Sequence, residues 1–148
     1  MTIIAYRDGM MAGDTLISTA QGHRLGAMEK VVKNKFGYLL GASGPSYDCQ
    51  ELMDWFLTAN SPNDLENAPR LEDVAAILVF PDKIVRSLDK GKWKECFEYT
   101  TFGFTASGCG DNFAMGAMVA GATARGAVEA AIQLTVKCGG EITTVELG

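Results

Sequence analysis

The first fourteen residues constrain the fold most, because they read as two apolar strands joined by a tight turn. Residues 2–7 are rich in strand formers, Asp8-Gly9 is a strong signal for a two-residue turn, and residues 10–13 return the chain. Counting outward from this turn pairs Ile3 with Asp14. The sequence therefore predicts a hairpin that brings Asp14 beside the N-terminus.

The pleat of such a hairpin decides on which face of the sheet the Asp14 side chain lies. Side chains alternate between the two faces of a sheet, so regular pairing would place the Asp14 carboxylate on the face opposite Thr2. A glycine inside a strand often marks a β-bulge, and a one-residue slip at Gly13 would return Asp14 to the face of Thr2. A bulge at Gly13 is therefore the expectation that would join the two residues.

Thr2 is the candidate nucleophile. If Met1 is removed, one residue carries both a hydroxyl and a free α-amine, whose pKa is about 7.7 to 8.0 in short peptides. The amine can accept the hydroxyl proton while the oxygen attacks a carbonyl carbon, so acyl transfer needs no histidine. The single histidine, His23, follows a polar turn-like stretch, which disfavours a Ser-His-Asp site and a multi-histidine metal site.

The composition bounds the remaining classes of protein. The chain has 148 residues, of which 47% are hydrophobic and 21% charged, as expected for one globular domain over residues 1–148. The net charge of −5 comes without a basic stripe, which argues against nucleic acid as a partner. The apolar stretches are too short for a membrane span and no secretory leader is evident, so a cytoplasmic location is expected.

The four cysteines show no recognisable motif. Cys49, Cys96, Cys109 and Cys138 have spacings typical of neither a zinc site nor a close redox pair. Buried free thiols are the favoured interpretation. No metal site is predicted.

Periodicity predicts strands followed by a helix, further strands, two helices and a final strand. A helix is predicted over 46–59, a loop over 61–71, and helices over 112–122, with Asp111 or Asn112 as N-cap, and after the cap residue Thr123. The predicted strands after the hairpin are 16–19, 38–42, 74–80, 83–88, 93–101 and 142–147. The glycine-rich turn Gly108-Cys109-Gly110 lacks the P-loop ending and the dinucleotide spacing, so phosphate binding is a weak alternative.

Several short segments, in this order and spacing, resemble the proteasome β-subunit and HslV peptidase family of N-terminal-nucleophile hydrolases. The short proteasome-like proteins of bacteria and bacteriophages are the most similar group. The resemblance covers nearly the whole chain. It rests on Thr2, residues 12–14, Lys30-Val31, residues 41–44 before a helix that contains Asp48, residues 108–110 and the small-residue segment 116–122.

The resemblance implies an α+β fold with two antiparallel sheets stacked between helical layers, a four-layer αββα sandwich. It also implies a threonine-type peptidase that acts on peptides or unfolded proteins without a cofactor. A ring-forming homo-oligomer and an ATPase unfoldase are the implied partners. A self-assembling but inactive relative and a small-molecule amidase remain as alternatives.

The resemblance also implies roles for single residues. Thr2 is the implied nucleophile, with its amine as the base. Lys30 is the implied cation that lowers the pKa values of this pair, and Asp14 is the residue that orients Lys30. The backbone N–H of Gly44 is the implied oxyanion donor.

Two positions of the implied catalytic network depart from the family pattern. Cys109 stands where the family often has serine, and Thr135 stands where a supporting aspartate is usual. A thiol is a weaker hydrogen-bond donor than a hydroxyl, and a neutral threonine cannot hold an ammonium as a carboxylate does.

Overall fold

The computed structural model describes residues 2–19, 21, 23–61 and 67–148. Within these ranges the chain forms strands and helices in the following order: β1 (Ile3–Arg7), β2 (Met10–Gly13), β3 (Leu16–Ser18), β4 (Arg24–Ala27), β5 (Val31–Lys33), β6 (Leu39–Ser43), α1 (Ser46–Thr58), β7 (Ala75–Val79), β8 (Val85–Asp89), β9 (Lys92–Glu95), α2 (Phe97–Phe102), β10 (Phe104–Gly108), α3 (Asp111–Val119), α4 (Ala124–Leu134) and β11 (Thr143–Glu146).

The described strands form three antiparallel sheets. A four-stranded sheet has the order β10-β1-β2-β11, a five-stranded sheet has the order β5-β6-β7-β8-β9, and β3 pairs with β4 alone. The family resemblance implied two sheets. The third forms because the chain folds back after β3, where the Thr19 amide donates to the His23 carbonyl and the Thr19 hydroxyl accepts from the His23 amide.

Three apolar cores separate the sheets and helices. On one side of β1, Ile3 and Ala5 pack against α3 and α4, while Ile4 and Tyr6 on the other side face the five-stranded sheet. The far side of that sheet packs against α1. Side chains alternate along a strand, so four successive residues of β1, from Ile3 to Tyr6, can be buried only because both of its faces are covered.

Gly41 of β6 lets the two larger sheets approach closely. A Cβ atom at this position would lie 2.8 Å from Ile4 Cγ2 and 2.9 Å from Met11 Sδ, which is closer than such atoms can pack. Gly41 also pairs with Val31, the residue that follows Lys30. Gly41 therefore lets the two sheets pack closely beside the start of β5.

The hairpin pairing predicted from the turn is confirmed, since Arg7 lies opposite Met10 and Ile4 opposite Gly13. The predicted bulge at Gly13 is wrong, because the pairing of β1 with β2 runs regularly through that residue.

The strand predicted over 93–101 is wrong after Glu95, where β9 ends and helix α2 follows. The chain turns there because Cys96 is buried and Tyr99 packs against Tyr6, with ring centroids 5.6 Å apart. Gly103 ends the helix at φ 80°, a conformation that glycine adopts without strain.

The helix caps differ in how well the sequence predicts them. The Thr123 hydroxyl accepts from the Gly126 amide at 3.1 Å, which confirms Thr123 as the N-cap of α4. The N-cap of α3 is Gly110 rather than Asp111 or Asn112, and α3 ends earlier than predicted.

The predicted loop over 61–71 lies partly outside the described residues. In the described part of the chain, every helix is too short or too polar to cross a bilayer.

Candidate active site

A buried ion pair lies beneath the first strand. Lys30, 4% exposed, immediately precedes β5, and Asp14, 0% exposed, follows β2. Lys30 Nζ donates to Asp14 Oδ1 at 2.9 Å and to the Leu16 carbonyl oxygen at 2.6 Å. Burying two charges costs several kcal/mol for each ion unless the charges are paired and hydrogen-bonded, and these contacts supply that compensation.

Two backbone amides also donate hydrogen bonds to the Asp14 carboxylate. Oδ1 also accepts from the Ile3 amide at 3.1 Å, and Oδ2 accepts from the Gly139 amide at 3.0 Å. The sequence-based prediction that Asp14 lies beside the N-terminal strand is confirmed, although the contact is made to the backbone of Ile3 and needs no bulge. The carboxylate therefore fixes both the first strand and Lys30.

The backbone of Thr2 is held on its other side by the turn after β10. The Cys109 amide donates to the Thr2 carbonyl oxygen at 2.9 Å. Gly108 adopts φ 116°, and a Cβ atom there would lie 1.9 Å from the same oxygen. Only a glycine at position 108 lets Thr2 occupy this place.

Thr2 and Lys30 line the same cleft, which has a volume of about 530 Å³. Thr2 is 7% exposed. Of the six residues assigned to the site by sequence, the cleft also includes Gly44 and Cys109, while Asp14 lies behind Lys30. Sequence reasoning missed the other polar residues and sulfur groups of the wall, which are Ser18, Met28, Ser43, Ser46, Cys49 and Asp73.

Thr135 is not among the residues that line this cleft. It ends helix α4, and its hydroxyl accepts from the Lys137 amide at 3.3 Å. The resemblance places it in the network around the Thr2 amine, but its hydroxyl bonds to its own segment of chain.

Gly44 stands between the end of β6 and the start of α1. The 13-residue helix α1 begins at the cleft, and the N-cap residue Pro45 makes no side-chain hydrogen bond to it. The free amides and the partial positive charge at a helix N-terminus favour a negative charge placed there. This side of the cleft can therefore stabilise an oxyanion.

Gly44→Ala is expected to destabilise the protein by about 1–3 kcal/mol, because φ 136° is strained for alanine and the new Cβ would lie 2.5 Å from the Asp73 carbonyl oxygen. Urea unfolding followed by circular dichroism measures this change. Gly116→Ala is the matched control, because Gly116 lies inside α3 with open space around it and alanine favours a helix. Equal midpoints for the two variants would show that position 44 tolerates a side chain.

The four cysteines are free thiols, but they are not all buried as predicted. Cys109 is exposed at the cleft, while Cys49, Cys96 and Cys138 are buried. Burial raises the pKa of the Cys49 thiol to about 11. Burial also raises the pKa of the Cys138 thiol, and a hydrogen bond with Cys109 and the charge of Asp14 add to this effect. The buried thiols of Cys49 and Cys138 are therefore poor nucleophiles at neutral pH.

Within the described ranges, no three histidine, cysteine, aspartate or glutamate residues are grouped to hold a metal ion. The described site thus consists of a hydroxyl, a buried ammonium paired with a carboxylate, and a helix N-terminus. These groups suit nucleophilic attack on a carbonyl carbon followed by stabilisation of the oxyanion.

Solved structures show the same fold. BPH from Thiobacillus denitrificans in complex with epoxomicin superposes with a TM-score of 0.68 at 19% identity, covering 99% of this chain and 98% of that one. Another structure of BPH from this organism gives 0.67 at 19% identity and the same coverage. Eukaryotic HslV from Trypanosoma brucei gives 0.66 at 16% identity, covering 98% of each chain. No protein-family model and no curated protein matches the sequence. The chain therefore has the mixed α/β fold of HslV.

Proposed function

We propose that this chain is a proteasome-like N-terminal-nucleophile hydrolase of the HslV type, which cleaves peptide bonds with Thr2 after Met1 is removed. The carrying observation is the buried Lys30–Asp14 pair, bonded to the backbone next to Thr2 and opening on the same cleft. The fold shared with HslV and with BPH, which binds epoxomicin, supports the proposal. The domain is residues 1–148, and the three apolar cores support a four-layer sandwich.

Removal of Met1 converts the Thr2 nitrogen from an amide to an amine. The amine accepts the proton of the Thr2 hydroxyl as its oxygen attacks the substrate carbonyl carbon. Lys30 supports this step because its ammonium stabilises the developing alkoxide and keeps the amine in its neutral form, able to act as a base, before the attack begins. The Gly44 amide and the N-terminus of α1 stabilise the oxyanion of the tetrahedral intermediate.

Collapse of the intermediate breaks the peptide bond. The protonated Thr2 amine donates its proton to the leaving amine, and the acyl group stays on the Thr2 oxygen as an ester. The same amine then deprotonates a water molecule that hydrolyses the ester, which returns the free hydroxyl. Thr2 thus acts as nucleophile, acid and base in turn.

Mass spectrometry of the protein from its native host is expected to show a chain without Met1, because Thr2 has a small side chain that a methionine-removing enzyme accepts. Thr2→Ala is the control: alanine is equally small, so Met1 should be removed from this variant too. A population of full-length chains alone would contradict the mechanism, because the Thr2 nitrogen would remain an amide.

A ring-forming homo-oligomer in the cytoplasm, fed by an ATPase unfoldase, belongs to the same proposal. Large exposed apolar side chains on α2 and α3 support assembly, namely Phe97, Phe102, Phe113 and Val119. Native mass spectrometry of the same sample gives the number of copies, and a monomer at micromolar concentration would contradict the ring.

An inactive, self-assembling relative is the second candidate. One observation favours it: Thr135, at the position where the family usually has an aspartate, has no charge and bonds to the Lys137 amide. An assembled ring with a free Thr2 and no peptide turnover would support this candidate over the peptidase.

A further inference from the structure

Two thiols meet where the turn after β10 passes the segment after α4. The Sγ atoms of Cys109 and Cys138 lie 3.3 Å apart. A disulfide bond is about 2.05 Å long, so the two atoms need to approach by only about 1.3 Å. Cys49 and Cys96 pack in two other cores, whereas Cys138 packs in the core beside α3 and α4.

We propose that Cys109 and Cys138 are a redox-active dithiol, and that their disulfide lowers turnover at Thr2. The second part of this statement rests on the proposed function, whereas the first does not. The oxidant is a low-molecular-weight disulfide such as oxidised glutathione.

The two thiols differ in access, which sets the order of the steps. Cys109 is exposed at the cleft and Cys138 is buried behind it. The Cys109 thiolate attacks the glutathione disulfide, forming a mixed disulfide and releasing one glutathione thiol. The Cys138 thiol then loses its proton and attacks Cys109 Sγ, and the second glutathione leaves as the thiol and takes up that proton. Because burial raises the pKa of Cys138, this second step is the slower of the two. Two protein thiols and one glutathione disulfide thus give one protein disulfide and two glutathione thiols.

The disulfide is expected to affect the site because each cysteine lies next to a hydrogen bond that positions a site residue. The Cys109 amide bonds the Thr2 carbonyl oxygen, and Gly139, the residue after Cys138, bonds Asp14 Oδ2. The Gly139 carbonyl oxygen also accepts from the Thr15 and Leu16 amides. Formation of the disulfide therefore displaces both Thr2 and Asp14, the residue that is paired with Lys30.

The test equilibrates the full chain with oxidised and reduced glutathione at several ratios, alkylates the remaining thiols and maps the peptides. We expect a linked peptide that joins Cys109 to Cys138. Its mass is lower than the sum of the two free peptides by two hydrogens, and dithiothreitol separates it into those peptides. Cys138→Ser should instead carry glutathione on Cys109. Cys96→Ser should form the same linked peptide as the wild type. Wild-type chains that carry only glutathione adducts, with no linked peptide at any ratio, would overturn the redox pair.

Peptide turnover of the oxidised and reduced forms tests the coupling. A displacement of about 1 Å at a reacting group can cost about 100-fold in rate, so the oxidised form is expected to lose turnover by about that factor and to regain it on reduction. Cys96→Ser keeps both members of the pair, so it should lose and regain turnover as the wild type does. Full turnover in the disulfide form would overturn the coupling. If the reduced protein cleaves nothing, the proposed peptidase function has failed, and the mass data still decide the redox pair.

Discussion

Thr2→Ala is expected to lower peptide turnover by at least about 10³-fold, because it removes the attacking oxygen and leaves no other nucleophile aligned with the amine. The fold should persist, since the contact that holds this residue is made by its backbone carbonyl with the Cys109 amide. A fluorogenic peptide assay on the processed protein measures the rate, and circular dichroism measures the fold.

Two further variants make this result specific. Thr2→Ser keeps a hydroxyl and an amine on one residue and should retain measurable turnover. Thr101→Ala removes a hydroxyl from an exposed position of α2, a helix with no residue in the lining of the cleft, and should leave turnover unchanged. Wild-type turnover in Thr2→Ala would place the nucleophile elsewhere.

Lys30→Met is expected to lower turnover by about 100-fold and the free energy of unfolding by about 3–5 kcal/mol. The rate falls because the ammonium no longer favours the neutral amine and the alkoxide. The stability falls because the fully buried Asp14 carboxylate keeps two backbone amides but loses its counter-ion. Steady-state kinetics and urea unfolding measure the two effects separately.

Lys33→Met is the matched control, since Lys33 lies in β5 but is exposed. It should leave both quantities nearly unchanged. Combining Lys30→Met with Asp14→Asn removes both buried charges together, so the double variant should recover part of the stability without recovering the rate. Equal turnover for Lys30→Met and Lys33→Met would show that the role assigned to Lys30 is wrong.

Local chemistry explains which parts of the fold could be predicted from the sequence. The two-residue turn at Asp8-Gly9 fixes the pairing of β1 with β2, so the position of Asp14 followed from counting. The Thr123 cap is equally local. Helix α2 was missed because its apolar residues also satisfy strand alternation, and only the packing of Tyr99 on Tyr6 decides between them.

The candidate site was less predictable because long-range contacts build it. Nothing local marks Lys30 out from Lys33 and Lys35, and the resemblance alone singled it out before the structure placed it against Asp14. The contact between Cys109 and Cys138 joins residues 29 positions apart on separate segments, which no spacing rule anticipates. The acidic wall residue Asp73 was missed for the same reason.

The Lys30–Asp14 ion pair also connects the two larger sheets. Lys30 leads into the five-stranded sheet and Asp14 leaves the four-stranded one, so their 2.9 Å contact joins the two sheets beside Val31, the residue that pairs with Gly41. A side chain at position 41 would meet Ile4 and Met11 of the opposite sheet, so it would push the two sheets apart at this point. In the proposed hydrolase, the position of Lys30 therefore depends on the spacing of the two sheets, and the lack of a side chain at Gly41 helps to set that spacing.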